Sequence, residues 1–144
     1  MSEETRAAVR AMYDAYRRGD PEAIAALLDD DVDWIIYAPV QVFPFAGSRR
    51  GKPAVLQTLG GIAKDYELQR HQEQIVIVEG DRAAVTAEVA FTQRSSGRLI
   101  RMRVANFLRF RDGRLIEFRE FNDTFDAVEQ TLGRWLDIGV AKPG

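Results

Sequence analysis

The chain has 144 residues, 46% hydrophobic and 29% charged, the size and balance of one folded domain rather than a disordered tail, and no apolar run is long enough to span a bilayer. A formal net charge of -2 leaves no basic footprint for nucleic acid, and zero cysteines exclude disulfides, thiolate nucleophiles and the common structural zinc sites. The opening Met1-Ser2-Glu3-Glu4-Thr5 lacks the basic-then-apolar pattern of a secretory signal, so we expect a cytoplasmic protein with no membrane partner, a core over residues 5–133 and a tail over 134–144.

Val9, Met12, Tyr13 and Tyr16 recur at the spacing of one helical face and predict a first helix ending at Gly19. Asp20-Pro21 is an N-cap followed by a proline suited to a first turn, and Ile24, Leu27 and Leu28 form the inward stripe of a short second helix. Asp29-Asp30-Asp31 reads as a polar turn; consecutive carboxylates do not converge on an ion, so no metal is expected there. The run Val32 to Val40 is strand-like, with Pro39 predicting an edge or terminal position.

Phe43 to Gly47 reads as an apolar loop in which Phe43 and Phe45 are candidates to fold over a pocket. Arg49, Arg50 and Lys52 read as a solvated loop before a third helix that starts near Pro53 and presents Val55, Leu59, Ile62 and Tyr66. From Leu68 onward, turns at Glu79-Gly80-Asp81, Ser95-Ser96-Gly97 and Asp112-Gly113 divide a meander of about four long strands. Asp123-Thr124 opens a final helix with Phe125, Val128 and Leu132 on one side and Gly133 as its stop.

Helices followed by an antiparallel meander give the α+β class, and a long meander must twist into a cup that the helices close. Such a cup is a natural pocket for a small, largely apolar organic molecule.

The last strand alternates Ile116, Phe118, Glu120 and Asn122 on one face, taken as inward. A carboxylate held among Phe and Ile is disfavoured as an anion, which raises its pKa toward the range useful in general acid–base chemistry; the competing reading is an ion pair with a neighbouring Arg. Asn106 interrupts the row Met102, Val104, Leu108, Phe110, so its amide either donates to a substrate oxygen or pairs with Asn122 or backbone.

Tyr16 is the preferred hydroxyl donor, with Met12 and Tyr13 on its stripe, and Trp34 and Ile36 share a strand face as pocket wall. His71, the single histidine, is a natural proton carrier, but Ile75 to Val78 is apolar on both faces and parity leaves its direction open. The opposite face of the late strands carries Arg101, Arg103, Phe107, Arg109, Glu117, Arg119 and Phe121, suited to solvent or a second copy.

The order Gly19-Asp20, Leu27-Leu28-Asp29-Asp30-Asp31-Val32, Trp34, Gly51, Gly80-Asp81, Phe110-Arg111-Asp112-Gly113-Arg114-Leu115-Ile116 and Asp123 resembles the SnoaL-like, ketosteroid isomerase-like branch of the nuclear transport factor 2-like superfamily. The resemblance implies a cone-shaped curved antiparallel sheet wrapped by N-terminal helices, no cofactor, and a homodimer through the sheet. It does not select a reaction, because isomerases, polyketide cyclases, epoxide hydrolases, dehydratases and assembly proteins share the fold.

The ketosteroid isomerase pattern puts its general base at Ile36, which carries no proton, its oxyanion Asp at Asn106 and its Tyr at Met12. The limonene epoxide hydrolase pattern puts its Tyr and Asn at Trp34 and Ile36, its Arg and first Asp near Ala87 and Val89, and its last-strand Asp at Glu120. The expectation is therefore proton-transfer chemistry (isomerisation, cyclisation, elimination or hydration) at Glu120, with Asn106 and Tyr16 on a developing oxyanion; the alternative is a non-catalytic ligand-binding or assembly module.

Overall fold

The computed structural model describes residues 2–139. Helices α1 (Ser2–Arg18) and α2 (Pro21–Leu27) lead into β1 (Leu28–Ile36) and β2 (Gly47–Arg50). They are followed by α3 (Lys52–Asp65), β3 (Tyr66–Glu79), β4 (Arg82–Gln93), β5 (Leu99–Arg111), β6 (Arg114–Asn122) and α4 (Thr124–Leu132). The strands form one curved sheet in the order β2-β1-β6-β5-β4-β3. β3 to β6 are the expected antiparallel meander, but β1 joins β6 in parallel, a pairing that requires the long connection the intervening elements supply.

Local chemistry explains the helix boundaries. Asp20 caps α2 by accepting from the Ala23 amide at 3.0 Å. Asp123 caps α4 by accepting from the Asp126 amide, and Gly133 closes that helix at φ 70°, a left-handed conformation that favours glycine. α1 buries Val9, Met12 and Tyr13 against the concave face, joining Leu28, Val32 and Leu115 in the core.

Several expectations are corrected. Leu28 is fully buried but opens β1 instead of closing α2, and Asp29 to Asp31 lie within that strand, with Asp29 facing Arg111 at 3.5 Å and Asp30 facing Lys52 at 3.5 Å. β1 lies inside the sheet and stops before Pro39, whose missing N–H would interrupt a ladder. The expected solvated loop at Arg49 and Arg50 is the edge strand β2, where Arg49 donates to the Thr58 hydroxyl and the Pro44 carbonyl. Tyr66 begins β3 instead of ending α3.

On α4, Phe125 and Leu132 are exposed, and the packed residues are Ala127, Val128, Glu129 and Thr131. Gln130 sets that rotation by bonding both the backbone N–H and the carbonyl of Arg101 on β5. Among the described residues no helix is long and apolar enough to cross a membrane.

Strand irregularities shape the cup. β3 shifts register between Leu68 and Arg70 and again between Glu73 and Ile75, leaving Gln69 and Gln74 as extra residues. On β6, Phe110 faces Leu115 while Arg109 faces Glu117, so Ile116 is a bulge. Leu115, not Ile116, therefore enters the core, and the inward parity resumes at Phe118.

Candidate active site

Glu120 and Asn106 are directly opposed on β6 and β5. The Tyr13 hydroxyl donates to Asn106 Oδ1 at 2.7 Å, and Asn106 Nδ2 donates to Glu120 Oε1 at 3.0 Å. Because Tyr13 occupies the amide oxygen, the NH2 end must face the carboxyl, and Glu120 is held by a neutral donor. The expected alternatives of an Arg ion pair to Glu120 and an Asn106–Asn122 pair are not formed among the described residues.

Burial raises the Glu120 pKa to about 7, with the Asn106 bond pulling it partly back down. Glu120 keeps some accessible surface, and that surface opens on an internal cavity whose wall it forms. Tyr16 is pushed up to about 12 by burial and then by the Glu120 charge, so it remains a neutral donor, and its hydroxyl has no protein partner among the described residues. Tyr13 is raised further by burial, Glu120 and Glu73.

The two β3 bulges bracket His71, which pairs with the inward Val89 and keeps only 5% of its side chain exposed. It stacks on Tyr13 at 5.1 Å and meets Tyr16 edge-on at 5.5 Å. Arg17 Nη1 lies 3.3 Å from His71 Nδ1, and Arg17 is itself anchored by Asp14 and Glu73. With the ring hydrogen on Nε2, Nδ1 accepts from Arg17; Glu73 Oε1 lies 3.7 Å from the same nitrogen. Burial lowers the His71 pKa, which leaves a neutral imidazole in the cavity wall.

These groups meet in a cavity of about 100 Å³. α1 supplies Met12, Tyr13 and Tyr16, β1 supplies Trp34 and Ile36, the following loop supplies Phe45, and α3 supplies Leu59 and Ile62. The meander contributes His71, Asn106, Phe118 and Glu120. Sequence reasoning missed Ile24, Val89, Phe91, Met102 and Val104, which also line it. Met102 and Val104 share the parity of Asn106 and were within reach, whereas Val89 and Phe91 require the β4 register.

Phe43 and Asn122 do not line the cavity. Phe43 is 1% exposed in the core, drawn inward by a turn in which its amide donates to the Pro39 carbonyl, and only its neighbour Phe45 reaches the ligand space. Asn122 is the last residue of β6, where the chain turns into the α4 cap, and its Oδ1 is buried without a partner among the described residues. Trp34 stacks on Phe118 at 3.9 Å as a wall. No group of three or more His, Asp or Glu side chains among the described residues is placed to hold a metal.

The SnoaL-like domain family model matches residues 9–118. A candidate isomerase from Rhodopseudomonas palustris shares 40% identity over 88% of this chain and 93% of its own, with a TM-score of 0.80. An epoxide hydrolase of M. tuberculosis resembling limonene epoxide hydrolase matches at 17% identity over 92% of both chains, TM-score 0.76. IdmH, a candidate polyketide cyclase from Streptomyces antibioticus, matches at 21% identity over 90% of this chain and 98% of its own, TM-score 0.74. Below 25% identity these last two speak to the fold alone. Among curated proteins no sequence matches.

Proposed function

Because the chain belongs to the SnoaL-like domain family, we propose that it is an acid–base enzyme in which Glu120 moves a proton on a small, largely apolar carbonyl compound. The observation that carries this reading is a carboxyl group set among apolar walls, with Asn106 as its hydrogen-bond partner among the described residues, in a cavity that also presents two neutral donors; burial there raises its pKa toward neutrality. Tyr16 and the His71 Nε2–H are suited to the oxygen on which charge develops. Asn106 orients the carboxyl, and Tyr13 orients Asn106. Both are positioning residues in this arrangement.

Isomerisation or cyclisation of an enolisable ketone is the reaction class such a set serves, since abstraction of a proton beside the carbonyl leaves an oxyanion the donors can stabilise. The test is deuterium exchange at the carbon next to the carbonyl in a panel of cyclic unsaturated ketones, followed by NMR. Glu120→Gln should lower catalysed exchange by about 10²–10⁴-fold. An unchanged rate would remove Glu120 from the mechanism and leave a ligand-binding module.

The outer face of the sheet favours a second copy as partner. Ile77, Ala84 and Phe107 stand in one cross-strand row, and Ile75, Thr86, Ala105 and Phe121 in the next. Tyr37 extends the second row by stacking on Phe121 at 4.6 Å. Ile75, Ile77, Phe107 and Phe121 are each about half exposed, a contiguous apolar patch that an isolated domain would leave in water.

A further inference from the structure

A second chamber of about 380 Å³ lies between the end of α1, the start of α2, α3 and the strand ends at Tyr66 and Phe91. It shares Tyr16, Ile24, Leu59, Ile62 and Phe91 with the wall of the inner cavity, so the two spaces meet at these side chains. The inner space, at about 100 Å³, is smaller than the roughly 150 Å³ apolar cavity that accommodates benzene. Even a single ring reaching Glu120 therefore needs room beyond the inner space, and the outer chamber adjoins it at these shared side chains.

The outer walls are apolar at Pro21, Leu56, Ala63 and Leu68, and the rim carries Arg17, Arg18 and Arg94 against one acid, Glu67. Arg17 is committed to Asp14 and Glu73. Arg18 faces Asp20 at 3.6 Å and Arg94 faces Glu67 at 3.7 Å, pairs whose members are largely solvated. Such pairs contribute little and exchange readily for another anion.

We infer that the ligand is an elongated acid: a carbonyl end in the inner cavity, an apolar body passing between Ile24, Leu59 and Phe91, and a carboxylate at Arg18 and Arg94. This rests on the reading that the inner cavity is the reacting end. The body gains affinity from apolar burial, and the carboxylate sets the direction of entry, because the outer rim offers Arg18 and Arg94, which exchange Asp20 and Glu67 for it, while the inner wall carries no cation among the described residues.

The probes are 4-alkylphenols of increasing chain length and the ω-(4-hydroxyphenyl)alkanoic acids of matching length, titrated calorimetrically at low salt. Affinity should rise about fourfold per added methylene until the outer chamber fills. Acids long enough to reach Arg18 and Arg94 should bind about tenfold more tightly than their neutral counterparts and shorter acids should not, and Arg18→Gln and Arg94→Gln should each remove much of that gain while leaving the alkylphenols unaffected. Affinity independent of chain length, equal affinity for acids and neutral phenols, or no binding by any probe would overturn the proposal. If the length and charge dependence holds while Glu120→Gln leaves deuterium exchange unchanged, the acid–base reading fails and the two-chamber site stands.

Discussion

At the scale of single residues, the account depends on a carboxyl group that the fold keeps protonated close to neutrality. Folded Glu120 retains its proton up to about pH 7, whereas the unfolded chain releases it near 4.5. Between these values the folded state binds more protons, so this group makes stability fall as pH rises. Glu120→Gln should consequently be more stable than wild type above pH 7 by about 3 kcal/mol, with the difference vanishing below pH ~4.5. Urea melts at both ends of that range check this; equal differences at both would mean that the carboxyl is not perturbed. Glu120 and Asn106 were legible in the sequence because strand parity set each as a polar interruption in an apolar row. The direction of His71 was not, since it depends on two bulges in β3 that no residue pattern announces.

At the scale of elements, short-range signals specify structure locally, whereas long-range pairing leaves little trace in any one segment. Asp20-Pro21 and Asp123 with Gly133 specify their helix ends through local hydrogen bonds, and the helices begin and stop there. β2 was missed because its four residues carry two arginines, and strand formation there comes from pairing with β1, not from propensity. The Ile116 bulge was missed because it offsets β6 against β5, a property of the pair. Phe43 was misplaced because its loop folds back on the Pro39 carbonyl. The Asp20 cap gives the prediction at this scale: α2 carries Ile24 into both chambers, so Asp20→Ala should lower unfolding free energy by about 1 kcal/mol. An unchanged denaturation midpoint would show that α2 is held by packing alone.

At the scale of the whole molecule, helices followed by a meander announced the α+β class, and twist announced the cup. The parallel entry of β1 beside β6 was hidden, because nothing near either strand encodes a pairing across most of the chain. The half-exposed outer rows set a further expectation: the protein sediments as a dimer, and Phe107→Glu with Phe121→Arg converts it to monomer while the folded circular dichroism spectrum is kept. A monomeric wild type at micromolar concentration would contradict that assignment. The Glu120 site, however, draws its described lining from a single chain, so its chemistry can be examined directly. The decisive measurement is the carboxyl carbon resonance of Glu120, assigned by its loss in Glu120→Gln and followed by NMR against pH. The account predicts a titration midpoint near 7, and a midpoint at the ordinary glutamate value of about 4.3 would contradict it.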